Sequence, residues 1–461
     1  MNAREGVTLT RSEQIAEYAS TAFQRPFPPD ILQAAKRALV DVLGVTIGAW
    51  DEACVRPVRK VATRWQAQGE AQMFFGPKTT PAIAALVNGS MAHAMDYDDS
   101  HQMGAGHISC VCGTTAFAMA SHLGANEKQT LAAFITGFEV MARLGGGGPA
   151  GVGRSLHRRG LHPTSVFGRV GAAVVASVLM GLTKKQTEYA IGVAATTAGG
   201  FVRSFGTHSK PFHGGKAAMD GIMAAELAQE GFISSTQLLE LEKGLLDVFI
   251  QDRQVEVPAM DFDDHWELKR NGFKPYASCR ATHASIQTAR QLATQVAGKK
   301  ITRVHAKVHP NVVIVADNQN PRSALEHKFS VRYCMAMGLT GYRLVASDFT
   351  ENLLLDKALA KIAAVTELEV IANQPQYEAH VDVYVEGEAA PLHADTFVVL
   401  GHADNPMSEQ EVWSKFDGLV SPVLGQDKTK ALFDWVNQLE QPGNLKKIQS
   451  ILVPSSLLGN T

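Results

Sequence analysis

Residues 299–317, KKITRVHAKVHPNVVIVAD, break with the sequence before them. Their apolar positions Ile301, Val304 and Val308 alternate near period two, and residues 380–388, HVDVYVEGE, repeat this at Val381, Val383 and Val385. Such alternation buries one face of a strand and wets the other. Between the two, residues 330–345 and 354–365 read as helices, so this region predicts an α/β unit. The change of texture begins near Phe262 and ends after Gly401, where residues 408–416 open a helix with the capping pair Ser408 and Glu411.

Upstream the signals are helical. Asp30 follows Pro28 and Pro29 and can cap a helix whose apolar positions recur at three and four from Ile31 to Leu43. Thr80 and Pro81 open a second helix, and Thr183 with Gln186 gives a capping box for a third that runs to about Thr197. In residues 168–182, GRVGAAVVASVLMGL, small side chains allow helices to approach closely. The expected fold is mainly α: an all-helical domain built from residues 1–266 and 398–461, interrupted by a smaller α/β insert at residues 267–397.

A chain of 461 residues fits two domains, or three at most. With 45% apolar and 19% charged residues the composition is globular and excludes general disorder. Lys plus Arg number 43 against 45 Asp plus Glu, so no charge excess drives binding to nucleic acid or a membrane surface. Five scattered cysteines do not make a disulfide framework, which points to a reducing compartment. The first 30 residues lack the apolar stretch of a secretion signal, and the longest apolar run, residues 171–182, falls short of the about 20 needed to span a bilayer. A soluble cytoplasmic protein is the expectation.

Sixteen histidines direct attention to acid–base chemistry. The densest cluster is residues 93–107, HAMDYDDSHQMGAGH, with His93, Asp96, Asp98, Asp99, His101 and His107. On a helix, His93 and Asp96 share a face, and Gly104 and Gly106 then release the chain into a loop carrying His107. Three readings compete: capping and solvated loop charges, a divalent-metal site, or a metal-free Asp/His acid–base pair. No second compact His/Cys group supports the metal.

A second group, residues 159–173, RGLHPTSVFGRVGAA, sets His162 before Pro163 and Thr164 at a helix start. There Thr164 is the cap and His162 packs locally, or the imidazole stands beside backbone N–H groups that favour a carboxylate. A third, residues 204–228, carries His208, Lys210, His213 and Lys216, with Lys210 placed to meet a small anion. A fourth, residues 271–286, NGFKPYASCRATHASI, brings Lys274, Cys279, Arg280 and His283, where Arg280 can hold a carboxylate bidentately. The Gly-rich run of residues 143–156 lacks the ending of a phosphate loop and follows a helix, so it reads as a hinge or a substrate-covering loop.

Together these groups resemble the MmgE/PrpD family, in that family's order and approximate spacing. The matching stretches are RALVDVLGVTIGA (37–49), NGSMAHAMDYDDSH (88–101), GLHPTSVFGRVGAA (160–173), SKPFHGGKAAMDGIMAAELA (209–228), FKPYASCRATH (273–283), EHKFSVRYCMAM (326–337) and HADNPMSEQEVWSKF (402–416). The resemblance implies a helical domain from both chain ends, an α+β lid, a homodimer, and an active site in the cleft between domains. The family includes 2-methylcitrate dehydratase, cis-aconitate decarboxylase and iminodisuccinate epimerase, whose members need no metal or organic cofactor. Carried over by position, the catalytic residues are Asp96, His107, His162 and Lys210. His93, Ser100, His213, Lys274, Cys279, Arg280 and His283 are then expected around the substrate.

Cys279 stands where the resemblance leads one to expect a histidine, Ile314 lies near the place of a tyrosine, and the loop from Asp99 to His107 is one residue longer. These departures point away from decarboxylation. All three chemistries labilise a bond beside a carboxylate, and the resulting charge needs cations and hydrogen-bond donors in a dry cleft. Lys210 and Arg280 supply charge, and His107, oriented by Asp96, moves a proton. Without a lid histidine, a donor for dehydration is missing unless His162 serves. The expected activity is therefore epimerisation of iminodisuccinate, ahead of 2-methylcitrate dehydration and cis-aconitate decarboxylation. Outside the family reading stand a metal-dependent hydrolase built on His93, Asp96 and Asp99, and a binding protein without turnover. The expected partners are a small polycarboxylate and a second copy of the chain.

Overall fold

The computed structural model describes residues 9–457 apart from 241, 251, 253, 256, 258 and 259. Its centre is the helix Pro163–Met180, against which Ser109–Leu123, Glu127–Gly145, Lys184–Thr196 and Ser209–Gln229 pack. This helix is apolar and long enough to cross a bilayer by composition, a feature hidden from the search for long apolar runs because Thr164, Ser165 and Arg169 interrupt its first turns. Here helices cover it instead, and its small residues make that possible. One close approach is between Pro81–Ala92 and Ser209–Gln229, where a Cβ on Gly89 would lie 2.8 Å from the Cα of Gly215. No larger side chain fits at that crossing.

The chain ends meet: Glu409–Leu424 and Gln426–Asn437 lie on Pro29–Gly48, so the helical core is closed by the C-terminal segment. The capping boxes at Thr183/Gln186 and Ser408/Glu411 form as expected. Asp30 does not cap. Its helix begins at Pro29 with Pro28 in the cap position, and Asp30 sits in the first turn.

The insert holds a four-stranded sheet in the order Thr366–Val370, Ile301–Val308, Ala379–Val385, Leu392–Thr396. The first two strands are parallel and the other pairs antiparallel. Parallel neighbours need a crossover, and Pro310–Ala316, Val331–Leu339 and Lys357–Ala364 lie along it. Residues 299–317 therefore split at Pro310 into a strand and a helix, capped by the His309 side chain. The two outer strands escaped the sequence reading because edge strands carry polar residues such as Glu367, Glu369, His393 and Asp395. Val304, Ala306, Val308, Val381 and Val383 bury one sheet face under His283–Val296 and Val331–Leu339, giving a second apolar core. The other face of Val331–Leu339, with Cys334, Ala336 and Met337, joins the helical core.

Candidate active site

The Pro81–Ala92 helix stops one residue before His93, which occupies its C-cap, so His93 and Asp96 do not share a helical face. Asp96 then adopts a left-handed φ of 52°. Its Oδ1 accepts from Lys210 Nζ at 2.6 Å and Lys274 Nζ at 2.9 Å, and Lys274 also donates to the Asp96 carbonyl at 2.8 Å. Asp96 Oδ2 is buried without a partner. Burial opposes ionisation of Asp96, but Lys210 and Lys274 outweigh it and hold the carboxyl well below its ordinary range. Burial likewise works against the Lys210 ammonium, and Asp96 with Asp98 overcomes it, so Lys210 titrates above its usual value.

The carboxylate beside His107 is Asp98, and Asp96 does not take that part. Asp98 Oδ2 lies 2.8 Å from His93 Nδ1 and 3.4 Å from His107 Nδ1. His107 Nδ1 is also 2.6 Å from the Asp99 carbonyl, which accepts only, so Nδ1 carries the proton and Nε2 is left as the basic atom. Burial keeps the imidazoles neutral: His93 falls to about 3, His107 below its ordinary value, and His162 well below it. Thr164 caps nothing. Its Oγ1 accepts the His107 backbone N–H at 3.0 Å, while His162 holds the N-cap position and places Nδ1 3.1 Å from His213 Nδ1. Gly106 makes that contact possible: at φ 95° a Cβ there would stand 2.6 Å from Thr164 Oγ1.

A two-residue ladder, Ser100–His101 against Asn271–Gly272, ties this loop to the segment that carries Lys274, Cys279 and Arg280. Arg280 is buried over the Tyr377 ring and donates through Nη1 to the Phe273 carbonyl at 3.3 Å, while Nε and Nη2 find no acceptor. Burial pushes the Cys279 thiol up to about 11, so it is protonated at neutral pH.

One cavity collects these groups. Asp96, Ser100, His107, His162, Lys210, Cys279 and Arg280 line it, as expected. His93, His213, Lys274 and His283 do not face it. His93 and Lys274 brace Asp98 and Asp96, His213 meets His162, and His283 stands 3.4 Å behind Arg280 Nη1. The sequence reading missed Arg154 and His157, which project from the short helix Val152–Arg158 that follows the Gly-rich run, as well as Asn311 and Tyr377. Arg154 and His157 stand three apart, a one-face helical spacing that could have revealed them. Ile314 is 59% exposed, and its neighbour Val315 faces the cavity instead. The cavity's free space is about 60 Å³.

The trio proposed for a metal hydrolase is not assembled: Asp96 is held by two ammoniums and Asp99 by Ser109 and Asn271. The compact donor group among the described residues is His93, Asp98 and Cys110, with donor atoms within 4.8 Å of one another.

The MmgE/PrpD N-terminal domain model matches residues 13–258 and the C-terminal domain model residues 276–441. Human cis-aconitate decarboxylase is 26% identical over 442 residues, covering 92% of this chain and 90% of that protein. The cis-aconitate decarboxylase of Aspergillus terreus is 24% identical, covering 98% of this chain and 96% of that protein. With both halves matched in order and the cavity formed where they meet, the chain belongs to the MmgE/PrpD family.

Proposed function

We propose that this protein is a cofactor-independent enzyme that moves a proton at the carbon beside a carboxylate of a small polycarboxylate, and that its preferred reaction is epimerisation of iminodisuccinate. The observation that carries this is the charge of the cavity wall. Arg154, Lys210 and Arg280 face a single carboxylate, Asp96, which leaves two positive charges unmatched and suits a dianion. Two of those cations, Arg154 and Arg280, have guanidinium nitrogens without acceptors, ready for carboxylate oxygens.

In the proposed reaction Arg280 and Lys210 hold the negative charge that spreads onto the carboxylate as the α-carbon loses its proton. His107 Nε2 takes that proton, since the imidazole is neutral and its other nitrogen is tied to Asp99. The thiol of Cys279, on the opposing segment, returns a proton to the carbon; after product leaves, His107 releases its proton to solvent and the thiolate takes one back, which restores both groups. Inversion follows when donor and acceptor act on opposite faces. A second reading, decarboxylation of cis-aconitate, is favoured by the names of the relatives over nearly the whole chain. Cys279, standing where the family resemblance leads one to expect a histidine, argues against it.

The test is proton NMR in D2O with stereodefined iminodisuccinate, cis-aconitate and 2-methylcitrate. Deuterium at the α-carbon with inversion supports epimerisation. Release of CO2 from cis-aconitate, or a new double bond from 2-methylcitrate, overturns it in favour of the lyases.

A further inference from the structure

Three successive carbonyls of the Asp96 loop each receive a lysine ammonium, and the three lysines come from distant parts of the chain. Lys328 Nζ donates to Met95 O at 2.6 Å, Lys274 Nζ to Asp96 O at 2.8 Å, and Lys415 Nζ to Tyr97 O at 2.7 Å. Lys274 also pairs with the Asp96 carboxylate, and Lys415 pairs with Asp41 at 2.6 Å. Lys328 differs. Among the described residues no carboxylate lies within ion-pair distance of it, although it is only 7% exposed and sits over the Phe349 ring.

A buried ammonium without a counter-ion is costly to keep, so its retention calls for a task. The main chain of Lys328 supplies a second contact: its carbonyl accepts the backbone N–H of Cys279 at 2.9 Å. The next residue, Phe329, lines the cavity. Lys328 thus grips the Asp96 loop with its side chain and the Cys279 turn with its backbone. Asp96 holds a left-handed φ of 52° without being a glycine, and its Oδ2 stays buried without a protein partner, so its placement depends on contacts such as these.

We propose that Lys328 is a positioning residue that sets the spacing between the two catalytic walls, presenting Asp96 from one side and Cys279 from the other. It does not touch the substrate. The proposal rests on the proton-transfer reading of the same cavity, and its test separates the two. Lys328→Met removes the charge and keeps the chain length, and Lys328→Arg keeps a cationic donor.

Hydrogen exchange of residues 94–99 and steady-state kinetics are measured on full-length protein. Lys328→Met is expected to expose the 94–99 amides about tenfold faster while the rest of the helical core keeps its protection. Its kcat is expected to fall by about 10²-fold, the cost of roughly 1 Å of misplacement, with KM nearly unchanged. Lys328→Arg is expected to recover most of the loss. Loop exchange and kcat equal to the parent's, or exchange raised throughout the helical core, would overturn the proposal. If the parent itself turns over no polycarboxylate, the functional reading fails, and loop exchange still decides the role of Lys328.

Discussion

Replacing Arg280 with Met separates a substrate clamp from a structural cation. The guanidinium is buried, makes two long hydrogen bonds through Nη1, to Phe273 O at 3.3 Å and to His283 Nδ1 at 3.4 Å, and leaves Nε and Nη2 without acceptors. Without substrate it therefore returns little of the several kcal/mol that desolvating an ion costs. Met fills much of the same volume with no charge, so the ligand-free variant should be as stable as the parent or more so. With substrate bound, the same two nitrogens can each donate to a carboxylate oxygen. A hydrogen bond to a charged group is worth about 1.5–3 kcal/mol, so losing the pair should cost about 3 kcal/mol or more. At 1.36 kcal/mol per decade that is about two orders of magnitude in kcat/KM. The assays are thermal melting without ligand, and initial rates with the polycarboxylate the protein turns over. A lowered melting temperature with kcat/KM within threefold of the parent would refute the reasoning, because Arg280 would then stabilise the lid rather than hold substrate.

His107→Gln should lower kcat by about 10²–10⁴-fold, the usual worth of a positioned acid–base group, with a smaller change in KM. Because burial holds the folded pKa of His107 below its ordinary value, the acid limb of the parent's activity should have its midpoint below that of a free imidazole, with activity falling as pH drops through it. Burial, with Asp41 nearby, raises the Asp99 carboxyl to about 7. The folded state then binds more protons than the unfolded state between about pH 4 and 7, and stability falls as pH rises through that window by up to about 1.4 kcal/mol per unit. Asp99→Asn removes the titration, so the melting temperature of the variant minus that of the parent should increase from pH 5 to pH 8; a constant difference would count against a raised Asp99. Gly106→Ala forces a Cβ against Thr164 Oγ1 at a left-handed φ and should cost about 1–3 kcal/mol together with most of the activity. Gly124→Ala has a similar backbone conformation but open space around it, and should leave kcat unchanged.

Much of the fold was legible because its signals are local. The capping boxes at Thr183/Gln186 and Ser408/Glu411 lie within one turn and need no tertiary partner. The alternation at Val381, Val383 and Val385 reports a strand with one buried face, whatever covers it. The outer strands were not legible, since polar residues such as Glu367, Glu369, His393 and Asp395 break their apolar pattern, and neither was the end of the Pro81–Ala92 helix before His93. Asp96, His107, His162, Lys210, Cys279 and Arg280 were singled out from residue type and neighbourhood together with the family resemblance, and all six line the cavity. The pairing was misread. Asp96 precedes His107 in an acid–base motif, yet its charge goes to Lys210 and Lys274, and Asp98 stands beside the imidazole.

The amino-acid sequence by itself determined the helical class, the α/β insert, the family and most of the charged residues of the cavity. Each of these depends on composition, periodicity or motif order along the chain. Only the tertiary structure decided which carboxylate serves which cation, that Arg154 and His157 join the cavity, and that Lys328 and Lys415 reach the Asp96 loop from residues more than two hundred positions away. The physical reason is that electrostatic pairing acts over a few ångströms of space and is indifferent to separation along the chain. A sequence shows which charges exist, and the fold decides which of them lose their water together.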